Sequence, residues 1–311
     1  MDSLIDFALK EKYNRVSLLR TKLDEMDKIL DWNQFLALFP EKETNLGRPE
    51  YNKIIMIKIL CLQSWYSLSD EEVEYQIADR LSFQKFLGFP KEIPDYSTIW
   101  RFREELTTDN LIDKIWSELH RQIKSLNLVV KEGKIQDATF IEASPGKTNS
   151  RMDDRGSGTK TSRSRDGSWT IKHHKSHFGF KLHTKVQRGS KIIDELAVTT
   201  ARVVDGNIDL AKPDEIIYRD TGYTGKNTKA KGNATMKRGK LTELQKMRNK
   251  RISKKRCEGE HPFATIKKDF KGGTTKLTTI PRVFVQQLLV CFAYNISRMR
   301  FLLSDSYQKM T

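Results

Sequence analysis

Three acidic residues stand where a carboxylate could do chemistry. Asp137 interrupts an apolar run in IQDATF, and Asp220 closes another in IIYRDTG. A charge within or at the end of a core strand is costly unless it is hydrogen-bonded, ion-paired or bound to metal. Taken singly, each is more often a structural carboxylate satisfied by backbone or arginine. The third acid lies on a helix following Lys255. At 100° per residue, Glu260, Arg256 and Lys267 fall within about 60° of one another. Phe263 and Phe270 flank that stripe, so it borders the buried face. Glu258 turns to the opposite side and is expected to face solvent. The wheel therefore selects Glu260 as the acid that joins the two aspartates. Three such carboxylates are hard-oxygen ligands suited to divalent cations.

Other candidates are weaker. His173, His174, His177 and His183 straddle a loop–strand junction without a cysteine partner or helical HExxH spacing, so a zinc site is not expected there. His183 is expected to pack or to contact DNA. GKNTKAKG does not fit the phosphate-binding loop pattern. Asp205, in VVDGN, reads as a turn residue, with a supporting role near the acids as the alternative. Cys61, Cys257 and Cys291 are too scattered for a disulfide framework or a cysteine zinc site.

The elements that must position the acids lie beyond about residue 126. LVVKEGKIQDATFIEA reads as a strand carrying Asp137. FGFKLHTKVQ and KIIDELAVTTA alternate apolar and polar residues across RGS and form a hairpin, while DEIIYRDTGY is a short strand ending at Asp220. Two helices follow, GEHPFATIKKDF and PRVFVQQLLVCFAYNISRMRFLL. Ser144 to Ser176, rich in Ser, Gly, Lys and Arg, reads as a flexible basic loop. Residues 1–125 read as helices by apolar periodicity in LIDFALKEKY, VSLLRTKLDEMDKILDWNQFLALF and YNKIIMIKILCLQSWYSLS. SDEEVEYQIADRLSFQKFLGF opens with a capping-box pattern, Ser69 and Glu72. In IPDYSTIWRFREEL, Asp95 caps a helix that exposes Thr98, Arg101 and Arg103. The two segments resemble a helix-turn-helix, which makes Arg101 and Arg103 candidate DNA contacts. Two domains result, 1–125 helical and 126–304 α/β.

The net charge is +16, unevenly spread. Residues 1–125 hold 18 Lys and Arg against 22 Asp and Glu, and residues 126–311 hold 38 against 18. An excess of that size repels itself unless a polyanion binds, and nucleic acid is the natural one. Val283 to Leu303 is too polar to span a bilayer and reads as a partly buried helix. The opening MDSLIDFALKEKYN carries acids where an export signal is basic. A cytoplasmic, nucleoid-associated location is expected.

Arg256, Glu260 and Lys267 reproduce the R-x3-E-x6-K part of the Y-x2-R-x3-E-x6-K pattern of the DDE transposases of bacterial insertion sequences, with Ser253 in the tyrosine position. DATF at 137–140 and RDTGYTG at 219–225 resemble that family's first two acidic blocks. FGFKLHTKV and VTTARVVDGN resemble its hairpin strands, and IPDYSTIWRFREEL a block of its helical domain. The resemblance covers most of residues 45–300. It implies an α/β, RNase H-like catalytic domain, a mixed sheet flanked by helices, preceded by an all-helical domain. In such a sheet an acid on the first strand and one after the fourth can meet at the centre.

It further implies that Asp137, Asp220 and Glu260 hold two magnesium ions about 3.5–4 Å apart, with manganese a workable substitute, and Asp137 bridging them. Water then frees a 3′-hydroxyl, which attacks target DNA. Arg256, Lys267 and part of Lys226 to Arg256 would hold phosphates. Alternatively, Lys267 pairs with Asp137 or Asp220 when metal is absent. The implied partners are double-stranded element ends and target DNA, bound by a homodimer. A nuclease without strand transfer and an inactive DNA-binding regulator are the alternatives.

Overall fold

The computed structural model describes residues 11–304 apart from 17, 20, 40–48, 109–110, 130–131, 147–165, 173 and 226. The start of the first expected helix, most of the expected basic loop, His173 and Lys226 lie outside the described residues. Backbone packing groups the chain into two compact units, one within Met1–Leu126 and Met299–Thr311, the other Asn127–Arg298.

The first unit contains α1 (Lys22–Ile29), α2 (Asn33–Leu36), α3 (Lys53–Tyr66), α4 (Asp70–Asp79), α5 (Leu81–Phe86), α6 (Tyr96–Thr108) and α7 (Leu111–Ser125). Side-chain caps start four of them. Thr21 accepts from the Asp24 N–H, Asn52 from Ile54, Ser69 from Glu72 and Asp95 from Thr98. Each satisfies a backbone donor that the first helical turn leaves open. The Ser69 box is only half built, because the Glu72 carboxylate accepts from Gln76 instead. α3 is buried from Met56 through Leu62. Its Lys58 is tolerated there because the ammonium donates to the Phe86 carbonyl at 3.0 Å and pairs with Asp27 at 2.6 Å.

Two expectations for this unit change. SDEEVEYQIADRLSFQKFLGF breaks at Arg80, whose extended backbone separates α4 from α5, so three short helices stand where two were expected. Arg103 is not displayed to solvent. Its guanidinium grips both carboxylate oxygens of Asp70, at 2.6 and 2.9 Å, and fastens α6 to α4. Arg101 remains exposed, its guanidinium turned back on Ser97 and Thr98.

The second unit is a seven-stranded mixed sheet with helices packed on it. Its elements are β1 (Lys134–Ala143), β2 (Ser168–Lys172), β3 (Lys175–Gln187), β4 (Ile193–Thr200), β5 (Ile216–Arg219), β6 (Gly232–Thr235), α8 (Glu243–Lys268), β7 (Thr274–Thr275) and α9 (Ile280–Leu302), whose last residues, from Met299, are grouped with the first unit. The order is β2-β3-β1-β5-β6, with β4 also on β3 and β7 on β1. β1 runs antiparallel to β3 and parallel to β5, placing it mid-sheet. Ile135, Ile141, Ile217, Ile252, Phe263 and Ile266 are all buried, each worth about 1.5–3 kcal/mol.

Three elements differ from the sequence reading. β2 lies within the stretch expected to be loop; it pairs antiparallel with β3 from Ser168↔Gly179 to Lys172↔Lys175. β3 does not alternate buried and exposed. It is flanked on both edges, and His183, Thr184, Lys185 and Gln187 are all buried. α8 starts at Glu243, capped by the Thr242–Gln245 box, and takes in much of the basic stretch. It is 26 residues long and carries Pro262 inside it. Among the described residues no helix is long and apolar enough to cross a membrane.

Candidate active site

The parallel pairing of β1 with β5 sets the site. Its register includes Ile135↔Tyr218. Two residues further along each strand come Asp137 and Asp220. A strand's side chains alternate between faces, so both acids turn to the same face as Ile135 and Tyr218. They are close enough to interact: Asp220 helps raise the Asp137 pKa above its ordinary value. Burial is the larger cause of that rise, opposed by the positive charge of Arg256 and by the Ala138 N–H. Arg256 donates to Asp137 Oδ2 at 2.8 Å and the Ala138 amide to Oδ1 at 2.9 Å. Asp220 accepts from the Gly222 N–H at 2.7 Å and caps the short 3-10 turn Thr221–Tyr223. Tyr223 is buried, and its phenol is pushed up by burial and then by Asp205, Asp137 and Asp220.

The opposite face of the same two strands carries a buried polar network. Gln136 Oε1 accepts from Arg219 at 2.6 Å and from the Leu210 N–H at 3.2 Å, and Gln136 Nε2 donates to the Ile208 carbonyl. Arg219 also pairs with Asp209 and lies over the Tyr223 ring, 5.2 Å from its centre. Asp209 is held below the usual carboxylate range. Burial opposes that shift, and the Lys229 N–H, Arg219 and the Ala211 N–H outweigh it. Sequence reasoning missed Gln136, Arg219, Asp209 and Tyr223. The signal was there for two of them: in QD and RD, a second polar residue precedes each acid and must face the other way.

α8 lies against the acid face. Gly259 sits so close to Ile135 that a Cβ there would stand 2.7 Å from Ile135 Cγ2. The next residue, Glu260, is exposed and has no hydrogen-bond or ion-pair partner among the described residues. Glu258 is not a solvent-facing acid, contrary to expectation. It is half-buried, accepts from the Gly189 N–H at 2.7 Å and lies 3.5 Å from Arg188, so it anchors α8 to the β3–β4 turn. Arg256, rather than Lys267, is the cation at Asp137. Lys267 lies near Glu142 and Lys172, towards the far end of β1. His183 packs: it is buried beside Thr199, and burial lowers its pKa to about 4. Asp205 opens a 3-10 turn and pairs with Lys181 at 2.8 Å.

The fold thus brings Asp137, Asp220 and Arg256 together and leaves Glu260 on the adjoining helix. Among the described residues no three His, Cys, Asp or Glu side chains converge as a closed metal cage. The chemistry of the site still suits a divalent cation. Two carboxylates share one face, Asp137 is largely desolvated, and a guanidinium already offsets part of their charge.

The chain was also compared with known proteins. Residues 10–105 match the family described as Transposase domain (DUF772), and residues 130–296 match Transposase DDE domain. No solved structure matches. The second match covers the sheet, both aspartates and the helix of Glu260, and it accounts for the mixed sheet as an RNase H-like fold. The chain belongs to the DDE transposases and is an insertion-sequence transposase.

Proposed function

We propose that Asp137, Asp220 and Glu260 are the three acids of this transposase and that together they hold two magnesium ions. The observation that carries this reading is the adjacency of Asp137 and Asp220 on parallel strands, with a cation drawn to them. Bound there, the metal would activate an oxygen nucleophile and stabilise the leaving oxygen during cleavage at element ends and strand transfer to target DNA.

The protein's own groups do the rest. Arg256 opposes the rise that burial imposes on the Asp137 pKa, which favours the ionised ligand, and it would be free to turn to a DNA phosphate with metal bound. Asp220 is aimed by its bond to Gly222. Glu260 completes the set from α8. Because two element ends must be joined to one target, the working form is a homodimer on DNA. The charge of residues 126–311 provides the phosphate contacts.

The test is cleavage of a duplex element end under magnesium, with DNA binding measured in parallel. Asp137→Asn, Asp220→Asn and Glu260→Gln should each abolish cleavage and leave binding largely intact. Glu258→Gln, whose amide oxygen can still accept from Gly189, should cleave normally. Substantial cleavage by any folded variant of the first three would remove that residue from the site. A donor end with a free 3′-hydroxyl and a plasmid target then separates strand transfer from cleavage alone.

A further inference from the structure

A cavity of about 930 Å³ opens along β1 beyond Asp137, lined there by Ala138, Thr139 and Phe140. Five lysines line it, Lys172 and Lys175 from the β2–β3 hairpin, Lys181 from β3, and Lys267 and Lys271 from the end of α8 and the turn beyond, together with the carboxylates of Glu142 and Asp205. Lys181 is paired with Asp205, and the other four have no ion-pair partner among the described residues. Lysines of this unit away from the cavity are paired as well: Lys134 with Asp194, Lys185 with Glu215 and Lys212 with Glu195. Burial, and then the nearby Lys172, hold the Lys267 ammonium below the ordinary lysine value, with Glu142 opposing. Four unpaired ammoniums around one space, with Glu142 the one carboxylate there not already paired to a lysine, repel each other unless a further anion joins them.

The rest of the lining selects the anion. Phe140 meets His177 edge-on, with ring centres 5.3 Å apart, and Ile171 is 77% exposed. Aromatic and apolar faces among cations are what a nucleic-acid strand with unpaired bases requires: phosphates for the ammoniums, base faces for the rings. The cavity has the dimensions of a small-ligand pocket. Its volume would admit a short stretch of single strand and is too small for a duplex.

We infer that this lysine-walled groove takes the unpaired DNA strand that runs on from the scissile phosphate, with Lys172 and Lys175 holding its backbone. The inference rests on the placement of the active site at Asp137 and Asp220, and it adds a strand path to that site.

The test needs no catalysis. The full chain is titrated, without divalent metal, against two labelled oligonucleotides: an element end with a short unpaired extension and the same end blunt. Lys172 and Lys175 are both exposed, so the Lys172→Ala, Lys175→Ala double variant should fold, and a thermal melt checks it. The variant should bind the extended end about tenfold more weakly and the blunt end unchanged. Its salt slope on the extended end should shrink by about 1.4, since each single-strand phosphate contact contributes about 0.7. Equal weakening on both substrates would place duplex across these lysines and overturn the inference, as would unchanged binding to both. Because metal and cleavage are absent, this outcome is independent of whether the acid variants lose activity.

Discussion

Gln136 and Arg219 are hydrogen-bonded to each other at 2.6 Å across β1 and β5, each immediately preceding one of the two aspartates. The bond lies on the face away from the acids. It fixes the register that sets Asp137 beside Asp220, so a buried polar pair on one side of the sheet aligns a charged pair on the other.

Replacing Gln136 with Met removes that acceptor at similar bulk. The buried Arg219 then keeps only Asp209, and the loss should be about 1–3 kcal/mol of stability, read by urea unfolding. The sharper readout is metal dependence. Misaligned aspartates should raise the magnesium concentration for half-maximal cleavage about tenfold, with much of the rate regained at high metal. A metal dependence equal to that of the parent would show that the pair supports the fold alone.

Arg256 controls the protonation of Asp137. Burial raises the carboxyl above its ordinary value of 3.8, and the positive charge of Arg256 is the largest influence opposing the rise. In Arg256→Met the pKa should therefore climb further. Metal binding needs the ionised carboxylate, so the pH midpoint for metal uptake should move upward, measurable by calorimetric titration at several pH values. Stability follows the same sign. The folded chain keeps this proton where the unfolded chain has released it, so the Asp137 contribution falls as pH rises from 3.8 through the folded value, then levels off. The window should widen in the variant. An unchanged midpoint would mean that Arg256 does not set this acid.

Gly259 sets the separation of α8 from β1. Gly259→Ala adds a methyl 2.7 Å from Ile135 Cγ2, an overpacking that costs about 1–3 kcal/mol. It should also slow cleavage by displacing the turn that bears Glu260. Adding Ile135→Ala empties the space and should restore part of the rate, although it sacrifices core volume. If cleavage by the single variant matches the parent, the close approach has no bearing on the site.

The charge excess of residues 126–311 should appear in salt dependence. A surface that neutralises about six duplex phosphates loses on the order of a thousandfold in affinity between 50 and 200 mM salt. Filter binding to random duplex should show such a slope for a fragment or a full chain alike. A flat response would separate the charge from DNA contact.

Asp137 and Asp220 were legible because a charged residue in an apolar strand has few ways to be satisfied, and strand alternation says which side it faces. Glu258 and Arg103 were misread for a common reason. A helical wheel gives directions about its own axis and is blind to what stands opposite, here the β3–β4 turn and Asp70. Arg256 and Lys267 share one wheel face, and only the position of α8 along β1, fixed at Gly259, decides which one reaches Asp137. β2 was hidden by a Ser-, Gly- and Lys-rich neighbourhood, and its order comes from pairing with β3. The first half of α8 offers little apolar stripe to read because most of its residues face water.

Pro262 has no N–H, so the carbonyl of Glu258 lacks its donor one turn ahead. The missing rung falls in the turn that holds Gly259 and Glu260. One missing hydrogen bond thus divides α8 into an upstream and a downstream rod. The upstream rod is pinned by Glu258 at Gly189 and by Arg256 at Asp137, and the downstream rod by the buried Phe263 and Ile266. The missing rung lies at the turn from which Glu260 projects. A swing of its carboxylate towards the aspartates would need only that turn to give, whereas an uninterrupted helix would have to shift as a whole.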